Sequence, residues 1–224
     1  MKPRIKVDGT FMAVGALLTV AFYFLPGIYF RNQTFELATF FLGVVCLLKG
    51  VFLRMFARGH KKSFSQQGHG LVKTGPYSLL RNPMYFGTFT TGLGFVLMLW
   101  PAWLWPIYVG IFYWRFIKQV RTEEQHLTQM FGQEYRDYCQ QTPRFFPSVK
   151  RALTINVKEI FPWHEGWDTK EKRNIPVVLL IALVAEILQE KVLLGRVDGV
   201  LTLAVFIAAV ALFGLILVFH YSRK

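Results

Sequence analysis

The chain has 224 residues, of which 53% are hydrophobic and 17% charged, and its formal net charge is +13. This composition is too apolar for a soluble domain of that length and indicates a membrane protein. The 26 Lys and Arg residues are spread over loops between apolar stretches, which argues against nucleic acid as a partner.

The apolar stretches predict an all-α, polytopic membrane protein with six transmembrane helices. A helix that rises 1.5 Å per residue needs about 20 apolar residues to cross the hydrocarbon layer. The stretch 85–116 is long enough for two short spans, and a turn at 101–106 would make them a helical hairpin. The other four predicted spans are 11–30, 35–56, 176–194 and 200–219.

The distribution of positive charge predicts the orientation of these spans. With a cytoplasmic N-terminus, 22 Lys and Arg residues fall on the cytoplasmic side and 3 on the other side. Because cations resist translocation, we expect both termini and the polar segments 57–83 and 117–175 to be cytoplasmic. The chain is then a multi-pass protein of a cell inner membrane or of the endoplasmic reticulum.

The polar residues that could support chemistry are concentrated between 69 and 147. Gly75-Pro76 and Asn82-Pro83 predict two turns, since proline fixes φ and disfavours a helical residue before it. Pro83 is well placed to begin the third span. The free N–H groups of that helix N-terminus would favour a carboxylate or another anion.

Two adjacent carboxylates, Glu123 and Glu124, lie on a predicted cytoplasmic helix that Gly132 can terminate. Neighbouring positions on a helix point about 100° apart, so both cannot face one ligand squarely. We expect one of them to meet a bound ammonium group. The other would pair with Arg81 or Arg121 and hold the helix in place.

Five short motifs follow one another in this block. They are L-V-x-T-G-P-Y at 71–77, R-x-P-x-Y-x-G at 81–87, E-E-x-x-L at 123–127, F-G-x-E-Y at 131–135 and R-F-x-P at 144–147. In this order and around a helical hairpin, the chain resembles the isoprenylcysteine carboxyl methyltransferases and their phospholipid-methylating relatives. The resemblance extends over about residues 60–150.

The resemblance implies an enzyme that uses S-adenosylmethionine at the cytoplasmic face and methylates an acceptor that enters from the lipid. It implies a cofactor site formed by His69, Gly70, Leu71, Val72, Tyr77, Asn82, Pro83, Met84, Tyr85 and Glu123. We predict a catalytic set of Arg81, Gln119 and Glu124 and no metal. Glu124, His69 and His126 are the candidate bases if the acceptor is a phenol or an ammonium group.

Two departures from the family pattern bear on the acceptor. Asn82 stands where the family often has histidine, and Gln119 stands where prenylcysteine methyltransferases have arginine. Arginine binds a carboxylate with two hydrogen bonds and glutamine does not. Arg115, Lys118 or Arg121 could substitute from nearby. An isoprenylcysteine-like carboxylate, a phospholipid amine and a phenolic lipid therefore stay open as acceptors.

The sequence divides into a methyltransferase core at 1–150 and a C-terminal extension at 151–224. An interfacial segment at 161–167 and the last two spans could shape the acceptor entrance or pair with a second subunit. Glu186, midway along the fifth span, and Glu190 suggest a transporter as an alternative. A non-catalytic membrane scaffold is the other alternative.

Overall fold

The computed structural model describes residues 15, 17–19, 21–22, 24–25, 32–65, 69–147, 163–167, 169–173, 175–176, 178–180, 182–184, 187 and 207. Within these residues the chain forms helices, turns and no strand, which confirms the all-α prediction for this part. The spans predicted at 11–30, 176–194 and 200–219 fall largely outside the described residues. Glu186 and Glu190 lie outside them altogether.

Helix α1, Gln33–Phe64, is the longest apolar element of the described part. The Asn32 side chain caps its N-terminus by accepting a hydrogen bond from the Phe35 N–H at 3.1 Å. Glu36 in the first turn and Lys61 and Lys62 in the last turn complement the helix dipole. By length and composition α1 is the one described helix that could cross a membrane.

Four shorter or polar elements follow α1. Proline in the first turn begins three of them, because its fixed φ suits that position. They are α2 at Pro76–Leu79, α3 at Pro83–Leu99, α4 at Trp105–Gln141 and α5 at Trp163–Trp167, with short 3-10 turns at Ala102–Leu104 and Lys170–Arg173.

Helices α1 and α3 pack closely because glycines face each other across their interface. A Cβ atom on Gly50 would lie 2.6 Å from the carbonyl oxygen of Gly87. One on Gly94 would lie 2.6 Å from the carbonyl oxygen of Gly43. Small residues of this kind let two helix backbones approach, as in membrane helix pairs. The close approach fixes where the N-terminus of α3 lies beside α1.

Helix α4 runs antiparallel to α3 and continues past its N-terminus. The rings of Phe89 and Phe112 lie 5.0 Å apart, and those of Tyr85 and Phe116 lie 5.3 Å apart. Glu123 and Glu124, two turns further along α4, are thereby placed beside the first residues of α3.

A break at Gly132 turns the end of α4 back towards α2. Gly132 has φ 53° and ψ −120°, a conformation that glycine adopts without steric cost, and the helix resumes after it. The sequence predicted that the helix ends at Gly132; the structure has a break there, but the helix ends only at Gln141. Beyond it, the Tyr138 hydroxyl donates to the Tyr77 carbonyl oxygen at 2.6 Å, and the Arg81 N–H donates to the Pro143 carbonyl oxygen at 2.8 Å.

Candidate active site

A hydrogen-bonded tyrosine and glutamate lie where α3 begins beside α4. The Tyr85 hydroxyl donates to Oε1 of Glu123 at 2.6 Å, while its ring packs edge-on against Phe116. Tyr85 is buried and Glu123 is half-buried. A hydrogen bond to a carboxylate is stronger than one between neutral groups, so this contact fixes the position of the Glu123 side chain.

Tyr77 is buried next to this pair. Its ring packs in a cluster with Ala57 of α1, Val72 and Met84. Burial raises the pKa of the Tyr77 phenol, and the negative charge of Glu123 raises it further. The phenol is therefore neutral at physiological pH and lies within the field of the Glu123 carboxylate.

Glu124 points to a different set of partners, which we call the Glu124 cluster: Arg81, Asn82, Glu124 and Arg144. Two nitrogens of Arg144 donate to Oε2 of Glu124: Nη2 at 2.7 Å and Nε at 3.0 Å. Arg81 Nη1 lies 3.3 Å from Oε1. Glu124 is only 8% exposed. Its hydrogen bonds raise the pKa of the Arg144 guanidinium.

Asn82 connects this cluster to the start of α3. Its Nδ2 donates to the Arg144 carbonyl oxygen at 3.2 Å and lies 3.5 Å from Oε1 of Glu124. Asn82 occupies the N-cap position of α3 without capping it through its side chain. The turn at Asn82-Pro83 is therefore fastened to the segment after α4, and the first turn of α3 has no side-chain cap.

The loop before α2 contributes the remaining predicted cofactor residues. His69 is exposed, Leu71 is half-buried and Val72 is buried against Ala57 and Tyr77. The Gly70 N–H donates to the Ser65 carbonyl oxygen at 2.9 Å. The structure thus brings Val72, Tyr77 and Met84 together, and it leaves the His69 side chain facing solvent.

Gln119 lies one turn before Glu123 on α4. The Arg115 Nη1 lies 3.5 Å from its Oε1, and the Arg115 guanidinium lies 5.5 Å from the Phe116 ring centre. An open depression of about 650 Å³ borders this part of the helix. It is lined by Trp114, Arg115, Ile117, Lys118 and Gln119.

Arg144 is a site residue that the sequence did not include among the predicted catalytic or cofactor-binding residues. Its R-F-x-P motif belongs to the family resemblance. The structure makes it the principal partner of Glu124. The motif itself was the available signal, whereas the pairing depends on the turn at Gly132 and cannot be seen from spacing.

Comparisons with known proteins agree with the resemblance predicted from the motifs. Residues 33–134 match the model of the phospholipid methyltransferase family. The chain is 32% identical over 105 residues to a protein-S-isoprenylcysteine O-methyltransferase of Saccharomyces cerevisiae, covering 43% of this chain and 44% of the relative. It is 33% identical over 130 residues to the mouse protein of that name, covering 54% and 44% respectively. The predicted similarity to this group of methyltransferases is confirmed.

A Dictyostelium discoideum protein-S-isoprenylcysteine O-methyltransferase is 29% identical over 131 residues, covering 53% of this chain and 51% of the relative. The chain therefore spans about half the length of the curated relatives that it matches. No solved structure matches it. Tyr77, Tyr85, Glu123 and Glu124 all lie within the matched residues 33–134, whereas Arg144 lies beyond them.

Proposed function

Because residues 33–134 match the phospholipid methyltransferase family, we propose that this chain transfers a methyl group from S-adenosylmethionine to a lipid-borne acceptor. The observation that carries the proposal is the Tyr85–Glu123 pair beside buried Tyr77. It places a fixed carboxylate and two aromatic side chains at the start of α3, inside the matched region. Similarity to isoprenylcysteine methyltransferases supports the same activity.

The residues present suit this cofactor chemically. S-adenosylmethionine carries an ammonium group, a carboxylate and a sulfonium, and when bound it supplies an electrophilic methyl group. Glu123 would hold the ammonium group, and the N-terminus of α3, which has no side-chain cap, would favour the carboxylate. Tyr77, Val72 and Met84 would exclude water around the cofactor. His69, Gly70, Leu71, Asn82 and Pro83 complete the proposed cofactor site.

Arg81 and Glu124 act differently in this proposal. Both belong to the Glu124 cluster, which fixes the Asn82-Pro83 turn against the end of α4. We assign them the task of holding the start of α3 beside Glu123. Methyl transfer from a sulfonium to an anion removes charge in the transition state, so a dry and rigid site favours the reaction.

The proposed acceptor is a carboxylate of the isoprenylcysteine type, which needs no base. Gln119 cannot bind a carboxylate with two hydrogen bonds as arginine does. Arg115, however, lies against Gln119, and both line the same open depression as Lys118. We propose that Arg115 and Lys118 attract the acceptor carboxylate while Gln119 donates a hydrogen bond to it. Methylation of a phospholipid amine or a phenolic lipid is the alternative that the assay must separate.

The same proposal includes the placement in the membrane. Six spans, with α3 and the first half of α4 as a short hairpin, would put the cofactor site at the cytoplasmic face. Residues 1–150 would form the methyltransferase core and 151–224 an extension. The 32 residues of α1 make it about 48 Å long, which exceeds a hydrocarbon thickness of about 30 Å. Its basic end, from Arg54 to Lys62, would therefore project from the bilayer.

The test uses the full chain, purified and reconstituted in lipid nanodiscs. Calorimetry with S-adenosylmethionine should show binding at micromolar concentration, and absence of binding would contradict the enzyme assignment. Methyl-labelled cofactor is then incubated with a farnesylated cysteine and, separately, with total membrane lipid. A carboxyl methyl ester releases labelled methanol in alkali, whereas methylated amines and phenols do not. Binding without turnover on any acceptor would instead favour the scaffold.

A further inference from the structure

His60, near the end of α1, joins three separate parts of the chain. It is only 5% exposed, and both of its ring nitrogens have polar partners. Nδ1 lies 2.7 Å from Oε2 of Glu165, and Nε2 lies 2.8 Å from Oγ1 of Thr74. Glu165 belongs to the C-terminal segment, which we define as 163–167 and 169–173. Thr74 belongs to the loop that leads into α2. The imidazole therefore bridges the C-terminal segment and the proposed cofactor loop.

The C-terminal segment is held firmly against α1. A Cβ atom on Gly59 would lie 2.0 Å from the Glu165 carbonyl oxygen, so only glycine allows this approach. Glu171, which is 4% exposed, pairs with Arg58 at 2.5 Å and with Arg54 at 3.3 Å. These contacts fix the backbone that carries Glu165. Glu165 in turn fixes the His60 ring, which also lies against Phe64 with ring centres 4.4 Å apart.

On its other side, His60 supports the residues that begin α2. Gly75 has φ 59°, and a Cβ atom there would lie 2.8 Å from Nε2 of His60. The Thr74 carbonyl oxygen accepts from the Tyr77 N–H at 3.2 Å, and the Gly75 carbonyl oxygen accepts from the Ser78 N–H at 3.0 Å. The position of Thr74 and Gly75 therefore determines the position of Tyr77.

We infer that His60 is a positioning residue for the cofactor site and that Glu165 holds it in place. The inference rests on the proposed function, because it assigns Tyr77 and the loop before it to cofactor binding. The imidazole would act on the cofactor only through Thr74, Gly75 and Tyr77. The C-terminal segment, which lies outside the matched residues 33–134, would then help to position the cofactor site through Glu165 and His60.

The test first measures the loop itself, without cofactor. Hydrogen exchange of the Tyr77 and Ser78 amides is compared in wild type, Glu165→Ala and Glu165→Gln. Losing a hydrogen bond to a charged group corresponds to about tenfold or more in an equilibrium constant, so Glu165→Ala should speed exchange about tenfold. Glu165→Gln, which can still accept from Nδ1–H, should recover part of the protection.

A second pair of variants changes Thr74, the partner of His60 on the loop side. Because Thr74 is exposed, we expect these variants to fold. Thr74→Val should speed exchange as Glu165→Ala does, and Thr74→Ser should not. The matched control is Glu134→Gln. Glu134 pairs with the neighbouring loop residue Lys73 at 2.7 Å, but both side chains are exposed. We expect this variant to exchange as wild type, because exposed ion pairs contribute little.

The second measurement is the dissociation constant for S-adenosylmethionine in the same variants. Glu165→Ala and Thr74→Val should each weaken binding about tenfold, and the double variant should be little worse than either alone. Unchanged exchange in Glu165→Ala and Thr74→Val, or an equal effect of Glu134→Gln, would overturn the inference. Faster exchange together with no binding by wild type would show that His60 positions the loop before α2 but would remove the proposed function and, with it, the link from this loop to a cofactor.

Discussion

Two adjacent glutamates on one helix have different neighbours and so different electrostatic surroundings. Glu123 accepts a hydrogen bond from the neutral Tyr85 hydroxyl, whereas Glu124 lies against two arginines. The negative charge of Glu124 is thus compensated within the protein. The carboxylate of Glu123 is held by the Tyr85 hydroxyl at 2.6 Å at the start of α3, beside buried Tyr77. At the residue scale this is the basis for assigning cofactor recognition to Glu123.

Glu123→Ala is expected to weaken S-adenosylmethionine binding by about ten- to a hundredfold, the usual effect of removing one hydrogen bond to a charged group. Calorimetry on the reconstituted protein measures this change. Asp137→Asn, at an exposed position further along α4, is the control and should bind as wild type. An unchanged affinity in Glu123→Ala would show that the cofactor lies elsewhere.

Arg144→Met is expected to destabilise the protein, because it removes the principal partner of a carboxylate that is only 8% exposed. Because the Arg144 side chain is 38% exposed and Arg81 still contacts Glu124, we expect the free energy of unfolding to fall by only about 2 kcal/mol. Such a loss lowers the melting temperature by about 4–8 °C, which scanning fluorimetry can measure.

The double variant Arg144→Met with Glu124→Leu should lose more stability than Arg144→Met alone, since Arg81, whose side chain is 14% exposed, then also lacks its carboxylate partner. Lys73→Met, which breaks an exposed ion pair, is the control and should change the melting temperature little. If Arg144→Met melts as wild type does, the Glu124 cluster has no role in stability.

The sequence predicted separate tasks for Glu123 and Glu124, because helix geometry separates adjacent side chains. It named Arg81 as one of two candidate partners, and Arg81 lies 3.3 Å from Glu124, but it did not identify Arg144. Arg121, the other candidate, is exposed. Arg144 reaches Glu124 only because the chain reverses beyond Gly132. His60 was missed because its partners lie 14 and 105 residues away, and no local pattern indicates such a contact.

At the scale of elements, two helix features place the site. Glycines bring α3 against α1, and the break at Gly132 brings the end of α4 back to α2. The sequence predicted the start of α3 at Pro83 and a helix end at Gly132, since both follow from backbone restrictions of single residues. At Gly132 the helix breaks and then resumes. The sequence predicted a span that ends at residue 56, whereas the observed helix α1 continues to Phe64. Apolarity marks the part suited to lipid and carries no information on where the helix ends.

Gly132→Ala is expected to destabilise the protein by about 1–3 kcal/mol, the cost of a non-glycine residue in a sparsely populated backbone region. No atom lies within 4 Å of a Cβ atom built there, so the cost is conformational. Gly110→Ala is the matched control on the same helix, also with nothing within 4 Å. Its backbone is helical, so alanine should stabilise it by up to about 1 kcal/mol. Thermal unfolding of both variants measures the difference, and equal shifts would contradict it.

For the whole molecule, the described polar side chains that support the proposed site gather at one end of the helix bundle. The end of α1, the start of α3, the middle of α4 and the C-terminal segment meet there through His60, Glu124 and Glu171. Hydrophobic side chains elsewhere on these helices are exposed, such as Phe41 on α1 and Trp114 on α4. The excess of Lys and Arg in the same segments predicts that this end faces the cytoplasm.

This orientation can be tested with single cysteines in a background that lacks Cys46 and Cys139. Gln140→Cys and Trp103→Cys both lie at exposed positions, the first at the end of α4 and the second between α3 and α4. A membrane-impermeant maleimide should label Gln140→Cys only in inside-out vesicles and Trp103→Cys only in right-side-out vesicles. Both should react in detergent, which controls for reactivity. Labelling of both from one side would mean that α3 and α4 do not cross the bilayer. The catalytic face would then have to be reassigned, because the proposed hairpin is what separates it from the opposite surface.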